Sequence, residues 1–262
     1  RVVRSRSRKM GCCTSAPETS TSPVTSKFFA VYHSFVDGKA DDWWAMMMSM
    51  KPDDMAAMQA KQRKLGFHNN YFCPEGGSKP IHCMWETEKE MTVAEFQVFI
   101  DGPDGPGPGV FVNTVYPAAP GAMLPTSSFA GTPAAPSPTS GCFYWVYHKF
   151  QSAEKEADFF KMMATADMAA MEAKNNSLGF HNHFFTPTGP GMPVFCIWEC
   201  KADTSPEDFQ KFIDGPDGPG NVTFVNEPHK LMAGMAPPCA AKFPAKKGYV
   251  YGFFDMKNPQ EF

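Results

Sequence analysis

Phe28-Phe-Ala-Val-Tyr-His-Ser-Phe35 is a run of aromatic and β-branched residues of strand length. From Asp41 to Lys64 the chain turns to Ala, Met, Gln and Lys, the vocabulary of a helix, and Pro52 sits where a helix restarts. Phe67 to Cys73 and Pro80 to Thr87 read as two more strands. The turn Pro74-Glu-Gly-Gly-Ser78 between them predicts a hairpin. A second helix is expected from Thr92, a hydroxyl cap ahead of acidic residues, to Asp101-Gly-Pro103, with Gly102 taking a left-handed cap and Pro103 ending the helix. Val110 to Val115 completes the order β-α-β-β-α-β.

This pattern occurs twice. Asp54-Met-Ala-Ala-Met-Gln-Ala-Lys returns as Asp167-Met-Ala-Ala-Met-Glu-Ala-Lys174, 113 residues later. The same offset carries Cys83-Met-Trp-Glu86 onto Cys196-Ile-Trp-Glu199 and the Asp101-Gly-Pro-Asp-Gly-Pro-Gly107 turn onto Asp214 to Gly220, with Gly215 and Pro216 in the capping roles. Repeat 1 is read as 27–116 and repeat 2 as 142–229, where Thr204-Ser-Pro-Glu caps the second helix and Val222 to Val225 is the last strand. Residues 117–141 hold Pro, Ala, Gly, Ser and Thr without a charge and read as a tether. Residues 230–262 start similarly, and Val250-Tyr-Gly-Phe-Phe254 echoes Val31-Tyr-His-Ser-Phe35. Two readings stand there: a third repeat of a longer protein, or an extra strand.

Such an order of elements folds as a ferredoxin-like α+β module, a four-stranded antiparallel sheet with both helices on one face. Its strands are apolar on both faces, so the open face needs a partner. In this layout the chain resembles the dimeric α+β barrel superfamily, in which two modules close sheet on sheet. The resemblance implies an intramolecular α+β barrel, and with it the option of a cavity enzyme acting by proton transfer or monooxygenase-like chemistry.

The polar features present in both copies are Tyr32-His33 and Tyr147-His148 on strand one, His68-Asn69 and His181-Asn182 opening strand two, and Glu86 and Glu199 closing strand three. His33 with Glu86, and His148 with Glu199, are candidate acid/base pairs, with Tyr32, His68, Asn69, Tyr147, His181 and Asn182 as ligand-binding residues. Strand periodicity sends Cys83 and Glu86 to opposite faces, so only one of them can share a side with His33. No complete metal-ligand spacing is present, and no cofactor is named by the sequence. The helix methionines, Met46 to Met58 and Met162 to Met171, are expected to fill the helix-to-sheet core with Trp43, Trp44, Phe159 and Phe160.

Composition narrows the function classes. The chain has 262 residues, 43% of them hydrophobic and 19% charged, with a formal net charge of -3, which suits a folded core and argues against nucleic acid as a partner. The eight cysteines form no zinc pattern and no framework shared by both copies, so reduced thiols are expected. Residues 1–26 read as a tail in which Met10-Gly-Cys-Cys-Thr-Ser15 fits acylation, with myristate on Gly11 and palmitate on Cys12 or Cys13. An Arg- and Ser-rich organelle transit peptide is the competing reading. The function expected from sequence is a non-catalytic binding or scaffolding protein, cytoplasmic and tethered to a membrane by its lipids. The alternatives are a small-molecule enzyme of the barrel type or a metal-binding protein using the repeat histidines.

Overall fold

The computed structural model describes residues 24–124 and 141–232. Gly11, Cys12, Cys13 and the third-repeat segment around Val250 lie outside the described residues.

Module 1 runs β1 (Thr25–Phe35), α1 (Ala40–Ser49), α2 (Pro52–Lys64), β2 (Phe67–Pro74), β3 (Ile81–Thr92), α3 (Val93–Ile100) and β4 (Phe111–Pro117). Module 2 repeats it as β5 (Cys142–Phe150), α4 (Ala153–Met163), α5 (Met168–Ser177), β6 (Phe180–Pro187), β7 (Val194–Cys200), α6 (Pro206–Asp214) and β8 (Phe224–Lys230). The sheets are antiparallel in the orders β2-β3-β1-β4 and β6-β7-β5-β8, the ferredoxin-like arrangement expected from the sequence. Side chains cap the later helices. Thr92 and Glu95 form a reciprocal capping box on α3, while Ser152, Asp167 and Ser205 each accept a backbone N–H at the start of α4, α5 and α6.

Period-two alternation divides each sheet between two cores. Phe29, Val31, Cys83 and Trp85 face the helices and meet Trp43, Phe96 and Ile100; in module 2, Tyr144, Val146, Cys196 and Trp198 meet Phe209 and Ile213. The other faces pack against each other. Ala30, Cys73 and Met84 from the first sheet join Phe143, Trp145, Tyr147, Phe195 and Ile197 from the second, so the modules pair through their helix-free faces. Chain segments seal the open edges: Ala119 N–H and Met123 N–H donate to Pro187 and Phe185 carbonyls on β6, and Met232 N–H donates to the Pro74 carbonyl on β2.

Three expectations need correction. The glycines after α3 and α6 are not left-handed; Gly215 has φ -82°. Glycine is required there by close approach, because a Cβ on Gly102 or Gly215 would stand 2.6 or 2.7 Å from the carbonyl oxygen of Val98 or Lys211. Most helix methionines do not fill the core: Met46, Met48, Met55, Met162, Met168 and Met171 are exposed, since the aromatic residues of α1 and α3 already cover the sheet. The last strand of module 2 runs on to Lys230 instead of stopping at Val225. Pro228 is tolerated because β8 is an outer strand of its sheet.

Candidate functional site

Alternation along β1 and β5 decides which of the repeated polar residues face the seam. Tyr32 and Tyr147 point into it, and His33 and His148 point toward the helices. His33 Nδ1 lies 2.5 Å from Asn113 Oδ1, and the Asn113 amide donates to Ile100 O and Asp101 Oδ1 at the end of α3. Module 2 has the same device: His148 Nδ1 is 2.6 Å from Asn226 Oδ1, and the Asn226 amide donates to Ile213 O and Asp214 Oδ1. Because each asparagine amide is committed to acceptors, its oxygen faces the histidine and Nδ1 carries the imidazole proton. Burial lowers both histidines to about 4, so they are neutral, and each buried Nε2 makes no hydrogen bond. These histidines fasten a central strand to a helix end. An open pocket of about 340 Å³ lies over the Asn113 side of this device, lined by Asp101, Gly107, Gly109, Phe111, Val112 and Asn113.

Glu86 and Glu199 lie on the seam face, the side opposite His33 and His148, so neither expected acid/base pair is brought together. Phe28, the partner of Glu86, and His33 are an odd number of positions apart along β1 and so face opposite sides. Glu86 accepts from the Asn70 amide at 3.3 Å and Glu199 from His183 Nε2 at 2.8 Å; Asn70 and His183 are the bulge residues of β2 and β6. His68 and His181 stand opposite those two carboxylates, His68 lowered by burial and then by Arg63, and His181 within 2.9 Å of Asn176 Oδ1. Asn69 and Asn182 face the helix side and donate to the sulfurs of Cys83 and Cys196.

A different constellation converges in the seam. The β2–β3 hairpin places Glu75 just past one strand and His82 at the start of the next. His229 arrives from β8, whose end is held against β2 by the Met232 to Pro74 hydrogen bond. Glu75 Oε1 is 3.1 Å from His82 Nε2 and 3.0 Å from His229 Nδ1, and the three ligand atoms all lie within 4.8 Å of one another. The outer nitrogens also have neighbours: His82 Nδ1 is 3.2 Å from the Tyr147 hydroxyl, and His229 Nε2 is 3.5 Å from Glu227 Oε1. Tyr32 and Trp145 complete the walls, with Trp145 stacked on the His82 ring at 5.5 Å.

The cluster is buried and holds a carboxylate. The His82 side chain is fully buried, and the Glu75 and His229 side chains are 9% and 13% exposed. Burial pushes the Glu75 carboxyl up, but hydrogen bonds from His229 and His82 outweigh it and hold Glu75 down at about 2. Burial lowers His82, and burial followed by Glu75 and Glu227 raises Tyr32. Burial also drives Tyr147 well above its usual range, so its hydroxyl stays protonated.

Nothing in the repeat requires this cluster. By strand register, the positions matching Glu75, His82 and His229 in the other half are Thr188, Phe195 and Tyr116. A search confined to residues shared by both copies therefore passes over all three; the signal that finds them is departure from the repeat.

The sequence profile of a family described as Domain of unknown function (DUF8652) matches residues 28–126 and again 143–249. The chain belongs to this family. Each of the two matches to DUF8652 spans one module's sheet and helices. The two sheets share one strand order and pack face to face. Among solved structures, a candidate monooxygenase from Fusobacterium nucleatum subsp. nucleatum is 9% identical, with 80% of this chain and 93% of that chain covered and a TM-score of 0.35. A substituted chlorite dismutase from Candidatus Nitrospira defluvii is 12% identical, covering 79% and 92%, with a TM-score of 0.38. Neither likeness assigns an activity to the DUF8652 chain. None of the curated proteins matches it.

Proposed function

We propose that the protein binds a divalent transition metal between its two modules, through Glu75, His82 and His229. The observation that carries this reading is one carboxylate oxygen within 3.1 Å of two imidazole nitrogens, in a buried seam and in only one of two register-equivalent positions. Two imidazoles and one carboxylate suit zinc or ferrous iron, and neighbouring ligands on bonds of about 2.1 Å stand roughly 3 to 3.4 Å apart. Metal would replace the protons now shared between Glu75 and the histidines. Tyr147 would then accept from His82 Nδ1–H and Glu227 would face His229 Nε2–H, the outer partners that orient metal-bound imidazoles.

Ligands from both modules make the ion a clamp across the seam, which keeps the reading within a binding and scaffolding function. The seam there is filled by Trp145, Tyr147 and Phe195. On the same reading, acylation at Gly11 with Cys12 or Cys13 would carry the metal-binding body to a membrane; among the described residues no helix is long and apolar enough to cross one.

The test is metal analysis of chain purified without chelator, followed by titration with zinc and with cobalt(II). One tightly bound equivalent is expected, with a tetrahedral or five-coordinate cobalt spectrum. The variant E75T/H82F/H229Y installs the residues that the fold already accepts at the matching positions, so it should fold and lose the ion. Retained metal in that variant, or no binding by the parent chain, overturns the reading.

A further inference from the structure

The helix-facing side of module 2 holds a pair of thiols that the metal reading does not use. Cys142 opens β5 and Cys200 closes β7, and the two are direct cross-strand partners. Residues so placed have Cα atoms about 4.5 to 5.5 Å apart, inside the range of about 4.4 to 6.8 Å that a disulfide spans. Both are free thiols here.

The two sulfurs have unequal surroundings. Cys200 is fully buried among Tyr144, Trp198 and Phe209, while Cys142 is half-buried at the edge of that core. Thr204 N–H donates to Cys142 Sγ at 3.5 Å, and the Lys230 ammonium is held beside it on Thr204 O at 2.9 Å and Asp203 at 2.7 Å. A hydrogen bond from Cys200 outweighs burial and brings Cys142 down to about 7, and the same bond drives Cys200 up. Cys83 and Cys196, by contrast, are pushed by burial to about 12. In module 1 the Cys200 position is Thr87 and the pair does not recur.

We propose that Cys142 and Cys200 form a reversible disulfide with hydroperoxides as the oxidant, Cys142 attacking first and Cys200 resolving. The Cys142 thiolate attacks one peroxide oxygen, the O–O bond breaks, and hydroxide leaves with the electron pair; Cys142 becomes a sulfenic acid. The Cys200 sulfur then displaces the sulfenic oxygen, which departs as water with the Cys200 proton, and the S–S bond forms. Hydrogen peroxide is reduced to water and hydroxide, and the two thiols are oxidised. The bond ties the first strand of module 2 to its neighbour where the tether enters.

The experiment exposes reduced, full-length protein to hydrogen peroxide, blocks remaining thiols with a maleimide and maps peptides without reduction. Loss of two hydrogens and a Cys142–Cys200 linked peptide are expected, with iodoacetamide labelling Cys142 roughly tenfold or more faster than Cys83 or Cys196. C200T, which copies module 1, should instead accumulate dimedone-reactive sulfenic acid at Cys142, and C142S should leave Cys200 unmodified in folded protein. Recovery of both peptides in maleimide-blocked form, or equal labelling of all thiols, overturns the proposal. None of these readouts depends on bound metal.

Discussion

Lowering the pH from 7 to 4.5 should strip the protein of a large share of its stability through two buried histidines. His33 and His148 each have a folded value of about 4 against 6.5 unfolded, so in this interval the unfolded chain binds more protons. The stability they confer is complete above pH 6.5 and is lost as pH falls toward 4. The shift corresponds to about 3 kcal/mol for each histidine, and the pair approaches the whole stability of many domains, about 5 to 15 kcal/mol. His82, lowered by burial, has the same sign. Glu75 has the opposite sign, but its contribution fades only between about 4.5 and 2. Urea midpoints measured at pH 7, 6, 5 and 4.5 check this, and H33Q/H148Q should flatten the slope while lowering stability at pH 7. A flat profile in the parent protein would show that the two histidines are not held neutral beneath the helices.

Trp145→Ala should cost about 3 to 5 kcal/mol, the range for deleting a buried large side chain that the surroundings cannot refill. Trp145 is fully buried and stacks between His82 of the first sheet and Phe195 of its own, each at 5.5 Å. Its register equivalent in the first sheet is Ala30, also fully buried, so the sheets fit a large residue against a small one. The same truncation at Met48, which is 85% exposed, should stay within about 0.5 kcal/mol. Denaturant midpoints separate the two, and if Trp145→Ala lies within 1 kcal/mol of the parent the seam is not a packed interface. Metal affinity should fall with Trp145→Ala as well, because His82 loses the ring that fixes its plane.

The fold was legible because its determinants are local and doubled. Strand-forming aromatics, the Thr92 and Ser205 caps and the Gly-rich hairpin turns each act within a few residues, and the repeat states them twice. The need for a partner on the open face was legible too, from strands apolar on both sides. The site was not. His33 and His148 drew attention as repeated polar residues, yet repetition here marks a structural joint between strand and helix end. Glu75 lay in a turn and His229 beyond Val225, the expected end of the last strand, so neither had a readable facing. Their meeting depends on β8 extending along β5 to Lys230 and on Met232 pairing with β2, and it joins Glu75 and His229, 154 residues apart in sequence, which no local pattern encodes.

A single Glu75–His82–His229 cluster in a pseudo-symmetric body also constrains ancestry. In a homodimer of one such module, the two register-equivalent places would be chemically identical, both bearing the three ligands or neither. One place bearing the three ligands and one filled by Thr188, Phe195 and Tyr116 can arise only once the two copies are encoded separately and free to diverge. A homodimer of a single module would therefore carry the Glu–His–His set twice or not at all, whereas two linked modules can carry it once.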